Sequence, residues 1–284
     1  MQTSSLNDDH RMQHYARDGY AFPIRAMDAG RALHYRRQLE ASQQALGGKF
    51  EGRYTLKPHL LFPWLTELAT ETTVLDLAAR VIGEDMLLWS TEFFIKQPGD
   101  ERFVSWHVDD TYWNIAPVEQ VTVWIALSDI GPENGPLRYI PGSHVEERLP
   151  VATDESEGNM LISGQTAQGV DESRAVDVLL RAGEVALHDG RTLHASGKNT
   201  GTDARIGIAA RFIPPHVRCT ATRESALLVR GTDRFKHFDH EPRPVTERDA
   251  AAQEAHARAV DLRMKAMYSS QMEKRKAKQA AAAA

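Results

Sequence analysis

His107 and Asp109 stand one residue apart in FVSWHVDDTYW (103–113), a run of aromatics and valines that otherwise reads as a buried strand. An imidazole nitrogen and a carboxylate oxygen brought to one point can hold a metal ion. On a strand, residues i and i+2 share a face, so both side chains can enter a barrel while Val108 faces the other way. Asp110 then points away, as a surface or hydrogen-bonding residue. Two neutral imidazoles and one carboxylate suit a borderline ion such as Fe(II) and leave one face of it open. That set needs one more histidine. His188 and His194, in GEVALHDGRTLHASGKN, are the candidates, because the strand-like EVALH delivers the chain to that point. The bland alternative for either is a satisfied core or loop histidine.

The His-x-Asp pair alone is a weak signal. With 12 histidines in the chain, about one or two such pairs arise by chance. His237-Phe-Asp239 and His144-Val-Glu146 are arrangements of the same kind. Context separates them: His144 follows the turn PGS and His237 lies in the loop-like FKHFDHEPRP, so neither has a strand to aim both groups inward.

The elements that must position these residues fall into two regimes. Up to about residue 85 the chain reads as helical. Met12, Tyr15 and Ala16 share a helix face that Asp18-Gly19 breaks, residues 28–46 form a helix stopped by Gly47-Gly48, and TTVLDLAARVIG (72–83) is a short amphipathic helix. From about residue 86 the segments MLLWSTEFFIKQ, VTVWIALSDI, AVDVLLRAGEVALHDG and IGIAARFIP are rich in Val, Ile, Trp and Phe and are separated by turn clusters, which suggests a barrel or sandwich. Residues 151–174 are polar and read as a long insertion loop. After Pro244 the sequence is charged, alanine-rich and helical, ending in KRKAKQAAAAA, a frayed solvated helix rather than a nucleic-acid tail.

The chain has 284 residues and a formal net charge of −5. That charge argues against a general nucleic-acid binder. Cys219 is the only cysteine, which excludes an intrachain disulfide and multi-cysteine zinc sites. The expectation is a cytoplasmic protein: MQTSSLNDDH shows no signal peptide, and no apolar stretch approaches the roughly 20 residues that span a bilayer.

Four segments in order, WSTEFFIKQPGD (89–100), SWHVDDTYW (105–113), VTVWIALSDIGPENGPLRYIPGSH (121–144) and GEVALHDGRTLHASGKNTGTDARIGIAARFIPPH (183–216), resemble the phytanoyl-CoA dioxygenase family of Fe(II)/2-oxoglutarate oxygenases. DGYAFP in the helical part fits as well. The resemblance implies a mainly β fold with flanking helices, a double-stranded β-helix (jelly-roll, cupin-like) barrel. It implies a single oxygenase domain over 1–244, with its barrel core at about 86–216, and a helical, partly solvated tail over 245–284. His107, Asp109 and His194 match the catalytic iron ligands. Arg205 matches the arginine that holds the distal carboxylate of 2-oxoglutarate, a task its planar fork performs with two parallel hydrogen bonds. Thr122 and Lys96 match positions lining that cosubstrate pocket, as do Trp113 and Ser196. Val108 departs from the glutamine many relatives carry, which affects the pocket rather than the ligand set.

The implied cofactors are Fe(II), the cosubstrate 2-oxoglutarate and O2. Related halogenases carry a small residue where Asp109 stands, so the implied reaction is hydroxylation of an unactivated C–H bond, with release of succinate and CO2. Desaturation, epoxidation or rearrangement on the same scaffold, or a barrel that binds a ligand or metal without turnover, are the alternatives. The implied partner is a small molecule, with no nucleic acid and no membrane, and a homo-oligomer is left open. For its pocket the candidates are Arg53, Lys57 and His59 in GRYTLKPHLLFPW, Arg138 before the PGSH turn, and Arg211, which shares a strand face with Arg205. A cluster of these at the metal favours an acidic substrate; the competing reading is that they are solvated or paired. Trp89, Tyr112, Trp113, Trp124 and Tyr139 are candidate cavity aromatics whose plain alternative is core. Lids are expected from the region after Arg53, from 151–174 and from 217–240.

Overall fold

The structure, a computed structural model, describes residues 9–154, 156–161 and 164–282. Its strands are β1 (Tyr20–Arg25), β2 (Met86–Lys96), β3 (Val104–His107), β4 (Ile115–Ala116), β5 (Val121–Ala126), β6 (Leu137–Tyr139), β7 (Val151–Thr153), β8 (Gln165–Ala167), β9 (Val176–Val178), β10 (Glu184–His188), β11 (His194–Ser196), β12 (Arg205–Ile213), β13 (Arg218–Cys219), β14 (Ser225–Arg230) and β15 (Asp239–His240). Its helices are α1 (Tyr15–Asp18), α2 (Ala29–Ala45), α3 (Pro63–Ala69), α4 (Thr72–Ile82) and α5 (Ala250–Ala282). The chain is mainly β with flanking helices. The described residues form two compact units: those within Met1–Phe50, Glu92–Asp109 and Val121–Ala210 make the first, and those within Glu51–Thr91, Asp110–Gln120 and Arg211–Ala284 the second.

The first unit is built from two β layers. One has the strand order β1–β10–β5–β12, the other β3–β11–β6–β9. Every residue of β5 and β12 is buried, which explains why VTVWIA and IGIAARFI are mostly apolar on both faces instead of alternating. Trp124 and Ala126 from β5, Ala186 from β10 and Ala209 from β12 pack with Leu137, Tyr139 and Val178 of the other layer. This shared core makes the pair of layers the expected jelly roll. Gly207 on β12 is part of that packing: a Cβ there would stand 1.8 Å from Trp124 Cζ2. The N-terminal helix α2 starts where Asp28 accepts from Arg31 N at 2.8 Å and buries Ala32, Tyr35, Leu39 and Ser42 along one face.

Two expectations change here. The 151–174 segment is not one open loop: β7 pairs antiparallel with β8 through Val151↔Ala167 and Thr153↔Gln165. Its three-residue strands are unburied and too short to show the apolar alternation by which strands are recognised. And β3 stops at His107, with Asp109 opening a 3-10 turn over Asp109–Tyr112. The neighbouring β11 begins at His194, opposite His107, so the ladder has no partner to carry the strand further.

In the second unit β14 pairs antiparallel with β2 (Leu227↔Leu88) and parallel with β15. Leu87, Trp89, Trp113, Ile115, Ile213 and Phe238 form its core. The helix α5 buries Ala252, His256, Ala259, Val260, Arg263, Ala266 and Met267, a helical stripe. Arg263 holds Glu224 at 3.2 Å and lies 4.2 Å over the Trp89 ring, so this half of the helix is a packed element. The expectation for the final KRKAKQAAAAA run reaches residues 283–284, and that for the N-terminus falls mostly on 1–8; both sets lie outside the described residues. No described helix is long and apolar enough to cross a membrane.

Candidate metal and cosubstrate site

The site is assembled by strand register in the first unit. His107 ends β3 and His194 starts β11, and the two are direct cross-strand partners. Their rings lie 4.1 Å apart between centroids. Asp109, one residue past the strand, returns its carboxylate to them: Oδ1 is 3.6 Å from His107 Nε2 and 4.0 Å from His194 Nε2. One donor atom from each of the three falls within 4.8 Å of the others, and all three residues are buried. The three side chains converge, and the aspartate arrives from a turn and not from the strand face. Asp110 is buried too, so it is not the surface residue that the strand reading allowed.

Each histidine is oriented by the backbone. His107 Nδ1 lies 2.8 Å from Ser105 O, and His194 Nδ1 lies 2.9 Å from Thr192 O. A carbonyl only accepts, so Nδ1 carries the hydrogen in both rings and each neutral Nε2 presents its lone pair. Burial, reinforced by His107, pushes His194 well below its ordinary value, which keeps it neutral and able to ligate. The carbonyl of Gly19 accepts from the Thr192 hydroxyl at 2.7 Å. Gly19 is left-handed at φ +81°, and a Cβ on it would meet Thr192 Oγ1 and His144 Nδ1 at 2.6 Å. The glycine that ends α1 thus permits the approach that supports His194. Two imidazoles and a carboxylate, each ring fixed by a second partner, fit Fe(II).

Beside the triad lies a cationic cluster. Arg205 on β12 is 1% exposed; its Nη1 donates to Gly135 O at 2.7 Å, while Nε and Nη2 have no partner among the described residues. Burial pushes its pKa down to about 10. Lys96 is also fully buried, and its Nζ donates to Ser196 Oγ at 3.0 Å and to the Gly197 carbonyl. Burial and then the charge of Arg205 bring Lys96 down to about 7. Thr122 and Trp124 are buried on β5, two residues apart. The guanidinium of Arg205 sits 5.7 Å over the Trp124 ring, whose indole N–H has no partner among the described residues. Buried cations with unused donors call for an anion. A dicarboxylate with a chelating keto acid at one end and a plain carboxylate at the other, as in 2-oxoglutarate, fits that demand.

The other expected residues fall elsewhere. Trp113 belongs to the second unit, where it meets Trp89 edge-on and lies beneath Arg211 at 5.5 Å. The aromatic against Arg205 is Trp124, which the sequence offered only as a possible cavity aromatic. Arg53 is exposed. Lys57 Nζ donates to Trp89 O (2.6 Å), Ser225 O (2.8 Å) and Glu241 Oε1 (2.7 Å), so all three ammonium hydrogens are engaged. His59 Nε2 donates to Glu241 Oε2 at 3.1 Å. Arg138 is ion-paired with Glu172 at 2.6 Å and Asp177 at 3.3 Å. The decoy His144 caps the Ala16 carbonyl at 3.1 Å. His188, the other candidate for the second imidazole, has its Nε2 3.7 Å from the second oxygen of Asp109.

A jelly roll that brings two histidines and one aspartate to a buried point, with an anion site beside them, is the scaffold of a mononuclear non-haem iron oxygenase. The profile of the phytanoyl-CoA dioxygenase (PhyH) family matches residues 15–207, and the chain belongs to that family. The chain spans about half the length of the curated relatives it matches: a Caenorhabditis elegans phytanoyl-CoA dioxygenase domain-containing protein 1 homolog is 28% identical over 153 residues, 52% of this chain and 53% of the relative. Among solved structures, the non-heme monooxygenase ThoJ in its apo form aligns with a TM-score of 0.82 at 32% identity, covering 92% of this chain and 99% of that one. CytC3, solved with Fe(II) and alpha-ketoglutarate, aligns with a TM-score of 0.60 at 25% identity, covering 81% and 91%. The fold is the cupin-like jelly roll, and His107, Asp109 and His194 form a group that could hold a metal ion.

Proposed function

We propose that this oxygenase hydroxylates an unactivated C–H bond of a small molecule, releasing succinate and CO2. The observation that carries the reading is the intact carboxylate of Asp109 between two ring-locked histidines. It fills the position that a halogenase would leave for a halide. His107, Asp109 and His194 hold the iron, and iron with 2-oxoglutarate and dioxygen supplies the oxidising chemistry. The protein supplies geometry and electrostatics. Ser105 O and Thr192 O fix the imidazole tautomers. Arg205 holds the distal carboxylate of the cosubstrate with its unused Nε and Nη2, and Lys96 adds a second positive charge that Ser196 keeps in place. Thr122 and Trp124 wall the pocket, and their burial excludes water.

The test is a screen of small organic acids, amino acids, phosphonates and terpenoid-like compounds for substrate-dependent succinate formation, followed by product analysis. The expected product carries one added oxygen on carbon, and Asp109→Ala abolishes both succinate and product. Retention of activity and iron binding by that variant would falsify the site. A product lacking two hydrogens, or a rearranged one, would keep the family chemistry and overturn hydroxylation.

A further inference from the structure

A third histidine stands at the triad without joining the ligand set. His188 ends β10 and is buried. Its ring centroid is 4.8 Å from that of His194. Its two nitrogens face different groups: Nε2 lies 3.7 Å from Asp109 Oδ2, and Nδ1 lies 2.9 Å from the hydroxyl of Tyr139. The two oxygens of Asp109 are thereby divided. Oδ1 looks toward both ligating imidazoles, at 3.6 and 4.0 Å, while Oδ2 looks toward His188.

We propose that His188 is a positioning residue for the Asp109 carboxylate, presenting an Nε2–H to Oδ2 in a tautomer that the Tyr139 hydroxyl fixes. This rests on the triad being the iron site. An ionised carboxylate only accepts, so the nitrogen facing it carries the hydrogen. A neutral imidazole protonated at Nε2 has its lone pair on Nδ1, and Tyr139 is the donor that meets it. The opposite tautomer would set a lone pair against a negative charge in a buried site. Tyr139 is itself held in place: Tyr20 stacks on it at 5.0 Å and Phe22 meets it edge-on at 6.1 Å. At 3.7 Å the His188–Asp109 approach is longer than a hydrogen bond and acts as a charge–dipole attraction.

Two consequences follow. His188 has no lone pair aimed at the triad, so it is not a fourth ligand. And Oδ2 is held toward His188, so Oδ1 would be the oxygen that Asp109 offers to a metal.

The test is Co(II) titration of the full chain, read by visible absorption and by affinity, with thermal melts of each metal-free variant as the control for folding. The parent binds one Co(II). In His188→Ala the carboxylate is released, Co(II) affinity falls about 10–100-fold and the absorption spectrum changes with the coordination number. His188→Gln keeps a side-chain N–H donor and restores both to within a few-fold of the parent. Tyr139→Phe, which preserves the packing, falls between them. His188→Ala with the parent's spectrum and affinity, or Gln as damaging as Ala, overturns the inference while leaving the oxygenase reading intact. A parent that binds no Co(II) sinks the oxygenase reading and the inference together.

Discussion

Lys96 concentrates the electrostatics of the site at the scale of one residue. Folding removes its ammonium from water and sets it near Arg205, which brings its pKa from 10.5 to about 7. Between those values the unfolded chain binds a proton that the folded chain does not, so stability rises with pH across the window and is lowest below it. From pH 7 to 9 the gain is about 2 kcal/mol. Urea melts of the cosubstrate-free protein at both pH values check it: the parent gains stability, and Lys96→Met loses that dependence. A flat parent profile would show the buried ammonium to be better solvated than its surroundings imply. The cation site was readable in the sequence only in part. His107, Asp109, His194 and Arg205 carry types and order that few other roles explain. Trp124 and His188 do not: their meaning comes from which strand lies opposite, as in the pairings His188↔Thr122 and His194↔Tyr139, and that register is non-local. Trp113 drew attention in the sequence because it sits next to the motif, yet proximity along the chain placed it in a different core.

Elements were legible where one local rule governed them. The helix α2 carries its own cap and its own glycine stop, and α4 ends at Gly83 with φ +88°. The strand β3 was over-extended by its sequence, because WHVDDTYW keeps strand-like composition past the point where the neighbouring ladder ends. The segment with Lys57 and His59 was harder still. Its cationic residues suggest a pocket wall, but a glutamate far along the chain makes them a buried anchor. Lys57, in a left-handed conformation at φ +51°, ties Glu241 to the carbonyls of Trp89 and Ser225, and the Ser225 hydroxyl donates to the same carboxylate at 2.7 Å. Burial alone would raise Glu241, but Lys57 and His59 bring it down from 4.5 to about 2. This contribution to stability is whole above pH 4.5 and is lost as pH falls toward 2. Lys57→Met leaves the Glu241 charge buried without its main partner and costs about 3–5 kcal/mol. Adding Glu241→Gln recovers a large part of that loss, because the stranded charge is gone. Denaturant midpoints of the two single variants and the double variant measure the coupling; strict additivity would refute the anchor.

At the scale of the whole molecule, the site stores unfavourable free energy that ligands release. Arg205 and Lys96 are buried cations, and two guanidinium nitrogens lack partners among the described residues. Three buried donor groups stand within 4.8 Å of one another. Metal and dicarboxylate bind the folded chain and not the unfolded one, so each stabilises it by mass action, about 2.7 kcal/mol at a hundredfold excess over Kd. For a chain this long that raises the melting temperature by roughly 5–10 °C. The increments separate by residue. In Asp109→Ala the rise on adding Mn(II) disappears, because the set loses its only carboxylate. In Arg205→Ala the metal increment stays and the further rise on adding 2-oxoglutarate falls, since the lost charge-assisted contact was worth about 1.5–3 kcal/mol. Thermal melts of the parent and both variants, with metal alone and with metal plus 2-oxoglutarate, give the four differences needed. If Arg205→Ala lost the metal increment while Asp109→Ala kept it, the division of labour between the triad and the cationic cluster would be wrong, and the cluster would have to be read as a buried structural pair instead of a cosubstrate site.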